Sequence, residues 1–164
     1  MLHFDMKPPF SSEIFLDKCR QLISEPDYQI ISAIPETKDA ILDEIGNDTI
    51  KRWLTFDTQL RDELVKIRAG RRHVDPSKYL RRDSSASGAI PHIALAAHRS
   101  PSILEGEHLL DRERWNFLNE LEFGHYFDLG FLVVYAYKLK ILGRWEEVRS
   151  SDKDALLERT LQNA

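Results

Sequence analysis

Asp57 is an acid on a face that ought to be apolar. It lies on the line Ile50, Trp53, Asp57, Leu60, Leu64, Ile67 and Arg71, whose steps of three and four keep to one side of a helix. A carboxylate there is costly unless it is paired. Arg61 stands one turn on, at i+4, well placed to meet it. Glu107 and Arg114 interrupt a second stripe in the same way, among Ile103, Leu110, Phe117 and Leu121. Two chemistries fit these residues. One is a structural ion-pair cluster of Asp57, Arg61 and Arg114 that sets helix register, with Asp57 reaching either arginine. The other is a catalytic carboxylate. No nucleophile, glycine-rich loop or histidine stands beside Asp57 in sequence, so structural pairing is the expectation and no catalytic residue is assigned.

Glu105-x-x-His108 and Glu122-x-x-His125 have the form of metal ligands. Two such motifs, with a glutamate from each of two further helices, build a carboxylate-bridged dimetal centre. Here both fall on one expected helix, 17 residues apart. That is roughly 25 Å along the axis, and the motifs point about 100° apart. The second also spans Gly124, an expected helix stop. No metal and no cofactor is therefore expected. A metal-dependent enzyme using Glu and His side chains is the least favoured reading.

The third constellation is basic. Lys66, Arg68, Arg71, Arg72, Lys78, Arg81 and Arg82 crowd together with Asp75 as the only acid among them, a local balance of about +6 in a chain of net charge -4. Such an edge could meet an acidic protein surface, a nucleotide phosphate or nucleic acid, or could be a solvated helix end making internal ion pairs. The candidate partner-binding residues are Arg68, Arg71, Arg72, Lys78, Arg81 and Arg82. Single-strand binders interleave aromatics for stacking, and only Tyr79 lies here. The acidic overall balance also argues against a general nucleic-acid binder. A nucleic-acid or nucleotide-binding module using the 66–82 edge stands as the alternative to protein docking.

Helices must position these residues. Ser11-Ser12, after Pro8-Pro9, can cap a helix through Ile23, with Phe15, Leu16, Cys19, Leu22 and Ile23 at helical spacing. Pro26 and Pro35 bracket a short helix around Tyr28 to Ile34, and another spans Lys38 to Ile45 before Gly46. Asn47-Asp48 can cap the long helix Thr49 to about Arg71. Pro76 opens a helical turn through Tyr79 to Arg81, and 83–89 is a flexible loop. Ile90 to His98 is a short helix. Ser100 caps the next, with Pro101 at its first position, and that helix runs to about Phe123. Gly124 to Phe127 turns tightly and Asp128 starts a helix with no polar break from Phe131 to Tyr137, which must be enclosed. These last two helices would form an antiparallel hairpin, with the long Thr49–Arg71 helix packed against it. Ser151 caps a final short helix, Asp152 to Leu161. Trp53, Trp115 and Trp145, one on each long helix, read as core or core-edge aromatics.

A length of 164 residues, 42% apolar and 30% charged, is that of one soluble domain with its own core. The expectation is an all-α, single-domain helical bundle of about six to eight helices over residues 1–164. One cysteine, Cys19, excludes an internal disulfide framework and a thiolate zinc site and fits a reducing cytosol. Met1 to Phe10 lacks the basic start and apolar run of a signal peptide. No stretch approaches the ~20 apolar residues of a membrane span, so membrane association would run through a partner.

Four stretches, in order along most of the chain, carry a resemblance to a known family. They are Lys7-Pro-Pro-Phe-Ser-Ser-Glu-Ile-Phe-Leu-Asp-Lys-Cys-Arg20; Trp53-Leu-Thr-Phe-Asp-Thr-Gln-Leu-Arg61 with Ile67-Arg-Ala-Gly-Arg71; Lys78-Tyr-Leu-Arg81; and Leu109-Leu-Asp-Arg-Glu-Arg-Trp115 through Gly124-His-Tyr-Phe-Asp128 to Lys138-Leu-Lys-Ile-Leu-Gly-Arg-Trp145. Together they resemble a bacterial family, without an assigned reaction, encoded beside the subunits of V/A-type rotary ATPases. That family is distantly similar to the helical central-stalk component of those machines that links the rotor axle to the membrane ring. The resemblance implies a non-enzymatic accessory, assembly or structural protein whose partners are ATPase subunits. It also implies a cytoplasmic location, peripheral to the membrane through the ATPase complex. It supplies no catalytic residues.

Overall fold

The computed structural model describes residues 2–34, 46–81 and 88–162, with side chains described as far as Ser151. The helix expected over 38–45, Arg82 and most of the 83–89 loop lie outside the described residues. The chain is all-α, with no strand among the described residues. Its helices are α1 (Ser12–Leu22), α2 (Glu25–Ala33), α3 (Asp48–Arg72), α4 (Ile90–His98), α5 (Ile103–Glu122) and α6 (Leu129–Gln162), with a 3-10 turn at Pro76–Lys78 between α3 and α4.

Side-chain caps fix most of the helix starts. Ser11 accepts from the Ile14 amide, Asn47 from Ile50 and Ser102 from Glu105. Asp128 Oδ1 accepts from the Phe131 amide at 2.9 Å and starts α6. Gly124 takes φ +88°, the left-handed conformation that suits glycine, two residues beyond the end of α5.

Three boundaries depart from the sequence reading. Helix α2 begins at Glu25, because Ser24 caps it and Pro26 sits inside its first turn, where proline costs no hydrogen bond. Helix α5 begins at Ile103, because Ser102 rather than Ser100 is its cap; Ser102-x-x-Glu105 has the capping-box pattern. Helix α6 does not stop near Arg149 for a new helix to start at Asp152. The Ser150 hydroxyl donates to the Glu146 and Glu147 carbonyls and Ser151 to Glu147, at 2.9–3.0 Å. The serines satisfy themselves on the preceding turn, so the backbone passes through as one helix.

The helices group into two compact units: Met1–Thr37 with His125–Ala164, and Lys38–Gly124. The first holds α1, α2 and α6, which pack pairwise. Phe15 and Cys19 of α1, Ile31 of α2, and Val133, Val134 and Leu142 of α6 are buried. The Tyr135 ring lies 5.2 Å from Phe15 and 6.2 Å from Phe10. Arg149 donates to the Asp5 carbonyl at 3.0 Å, tying the N-terminal segment to α6.

The second unit holds α3, α4 and α5, each packed on the other two. Leu60, Leu64, Ile90, Ala94, Ala97 and Leu110 form its core, flanked by Phe56 and Ile67. Fully burying each large aliphatic side chain is worth roughly 1.5–3 kcal/mol. The Phe56 and Phe117 rings stack at 4.1 Å. Gly106 permits a close approach of α5 to α4, since a Cβ there would stand 2.8 Å from the Ala97 carbonyl oxygen. The buried stripe of α5 is Gly106, Leu110, Asp111, Trp115, Leu118 and Leu121. It is rotated from the one the sequence suggested, and Ile103 is 88% exposed. The two helices of the expected C-terminal hairpin, α5 and α6, fall in different units.

Candidate functional site

The α3–α4–α5 unit carries the Asp57 cluster and the basic edge singled out in the sequence. Asp57 is only 7% exposed and projects from α3. Its Oδ1 accepts from Arg114 Nε at 2.8 Å, and its Oδ2 pairs with Arg61 Nη2 at 2.9 Å. Arg114 Nη1 donates to Asp111 Oδ1 at 3.0 Å, and Asp111 is 1% exposed. The structure thus brings Asp57, Arg61 and Arg114 together and adds Asp111. Asp57 meets both arginines, one within its helix and one across to α5. Both its oxygens are engaged by guanidinium groups, a geometry that locks α3 against α5. Asp62, also buried, accepts the Arg81 amide at 3.1 Å and so holds the segment beyond the 3-10 turn to α3. Sequence reasoning missed Asp62 and Asp111. The spacing of Asp111 three residues before Arg114 was the available signal; Asp62 had none.

The basic residues divide. Lys66 pairs with Glu63 at 2.6 Å. Arg68, Arg71 and Arg72 lie on the last turns of α3, exposed, at spacings that keep them neighbours on one face. They line one side of a cleft of about 880 Å³ within this unit. Leu64, Ala97 and Leu110 provide its apolar lining, and His98, Ser102 and Glu107 come from the α4–α5 side. Among the described residues, the side chains of Arg68, Arg71, Arg72 and Lys78 make no ion pair. Lys78 and Arg81 stand outside the cleft lining. The positive end of the α5 dipole adds to the three guanidinium charges here, and among the described residues Glu107 is the one carboxylate lining the cleft.

The frame behind the arginines is closed by backbone hydrogen bonds. Helix α3 ends in a double closure: the His73 amide bonds the Gly70 carbonyl at 3.3 Å and the Val74 amide bonds Ala69 at 3.1 Å. This is the Schellman pattern, with His73 at φ 54° in the position that glycine usually takes.

The Glu-x-x-His motifs do not converge. His125 Nδ1 lies 2.6 Å from Asp128 Oδ2, beside the cap of α6. The hydrogen bond with His125, and then the Phe131 amide, hold the Asp128 carboxyl below its ordinary pKa. Among the described residues no group of three or more His, Cys, Asp and Glu side chains gathers as a metal site. Burial pushes the Cys19 thiol above its ordinary pKa, away from the thiolate that reactive cysteines need. No helix among the described residues is long and apolar enough to cross a membrane. No protein family, curated protein or solved structure matches this chain.

Proposed function

We propose that this chain is a non-enzymatic docking protein, an accessory, assembly or structural component of a V/A-type rotary ATPase. The observation behind the docking reading is that Arg68, Arg71 and Arg72 stand unpaired together at a capped helix end, with internal partners for none of them among the described residues. The helix that presents them is held by the Asp57–Arg114 pair and by the Leu60 and Leu64 packing, so the charges sit on a rigid frame. In a chain of net charge -4, such an edge selects acidic partner surfaces. Charge complementarity of this kind gives speed and specificity of association more than raw affinity. The choice of ATPase subunits as partners rests on the sequence resemblance alone. It carries a cytoplasmic setting, with any membrane attachment made through the complex.

A tagged pull-down from the native cell at low salt, followed by mass spectrometry, tests both parts. ATPase subunits should be enriched, and Arg71→Glu with Arg72→Glu should deplete them while leaving the far-UV circular dichroism unchanged. Enrichment that the double variant does not touch would refute the basic edge. A preparation without ATPase subunits would refute the assignment to that machine.

A further inference from the structure

We propose that the cleft between α3 and the α4–α5 corner is a binding site for a small ligand carrying a phosphate anhydride. A volume of about 880 Å³ is that of a small-molecule site, which typically runs about 300–1,000 Å³. A flat protein surface would need no such recess. Arginine forks match phosphoryl oxygens two at a time. Arg68, Arg71 and Arg72, at i, i+3 and i+4, set three of them on one wall with Cβ atoms roughly 5–6 Å apart. That spread suits two linked phosphoryl groups better than a single anion.

The facing wall is chemically consistent. Ser102 and Ile103 line the cleft at the first turn of α5, whose leading amides have no partners within the helix. Anions favour that end of a helix. Leu64, Ala97 and Leu110 form the floor between the walls. Glu107 repels an anion at its own end. The phosphoryl groups therefore lie toward the arginines, leaving Glu107 and His98 to meet a donor on the remainder of the ligand. The site needs no protein partner, so it stands or falls separately from the docking reading.

Inorganic pyrophosphate, titrated calorimetrically into the full chain at constant ionic strength, is the test. One-to-one binding is expected, at least tenfold tighter than sulfate or citrate. Arg71→Ala should weaken it about tenfold or more, the worth of one charge-assisted contact. Arg52→Ala should change nothing. It removes the same charge from α3, 19 residues away and roughly 28 Å along the axis. Absence of saturable pyrophosphate binding, citrate binding as tightly, or an equal loss in Arg52→Ala would each overturn the site. Partner capture without pyrophosphate binding would remove this inference and leave docking in place; pyrophosphate binding without capture would do the reverse.

Discussion

Replacing Asp57 with alanine tests the central claim about how α3 and α5 are held. The substitution removes two contacts of unequal weight. Arg61 is 48% exposed at its side chain, so its pair with Asp57 is worth at most about 0.5 kcal/mol. Arg114 is 12% exposed, and its bond to Asp57 is charge-assisted and largely dry, worth about 1.5–3 kcal/mol. The full cost of stranding a buried charge, about 3–5 kcal/mol, does not apply, because Arg114 keeps Asp111 at 3.0 Å. The expected loss is therefore about 2–3 kcal/mol, a Tm drop of roughly 4–12 °C in a protein of this size. Urea unfolding followed by tryptophan fluorescence suits the measurement. Trp53 lies one turn before Asp57 and Trp115 directly follows Arg114, and both are buried. The Asp57→Ala, Arg114→Ala cycle should show a coupling of about 1.5–2.5 kcal/mol, while Arg61→Ala alone costs under about 0.5 kcal/mol. If Asp57→Ala lies within about 0.5 kcal/mol of the parent, or Arg61→Ala is equally costly, the buried-pair account fails.

Three further outcomes follow from local geometry. His73→Gly should stabilise by about 1 kcal/mol, because a left-handed residue without a Cβ is unstrained there; a lower urea midpoint would show that the imidazole makes a stabilising contact. Two glycine substitutions should differ in sign. Gly70→Ala, with nothing within 4 Å of its added Cβ, should gain roughly 0.5–1 kcal/mol of helix stability, whereas Gly106→Val, driven into the Ala97 carbonyl, should lose about 2 kcal/mol or more; equal midpoints would refute the close approach of α4 and α5. Asp128 has its folded pKa depressed, first by the hydrogen bond with His125. Its contribution is then present above the unfolded value of about 3.9 and is lost as pH falls through the lower folded value. The stability gap between the parent and Asp128→Asn should therefore close between about pH 5 and pH 2, and a constant gap would exclude the carboxylate as its source.

The sequence was most legible where local chemistry is decisive. The Asn47 start of α3 follows from its cap, and helix α4 keeps the expected bounds, Ile90–His98, without a side-chain cap. Ambiguity entered where two residues could serve equally: Ser100 and Ser102 both flank Pro101, and only the capping-box glutamate at 105 separates them. Ser150-Ser151 look like a break, yet their hydroxyls find carbonyls one turn back, an outcome that spacing does not disclose. The arginine cluster was visible as charge. The cleft was not, because its other wall comes from residues roughly thirty positions away, brought there by α4 packing on both α3 and α5. Asp62 was hidden for the same reason, since its partner is a backbone amide 19 residues on. The grouping of the helices into two units left no mark in composition.

One of those units is assembled from the two ends of the chain, with the other inserted between them. This arrangement has a consequence for synthesis. Helices α3, α4 and α5 can find one another as soon as Gly124 has emerged, since every partner is then available. Helices α1 and α2 are made first but cannot complete their packing until α6 follows, about 95 residues later. At about 5–20 residues per second that is roughly 5–19 s of waiting, with Phe15, Cys19 and Ile31 uncovered meanwhile. A released chain truncated before residue 129 should therefore carry a protease-resistant middle and a protease-sensitive beginning.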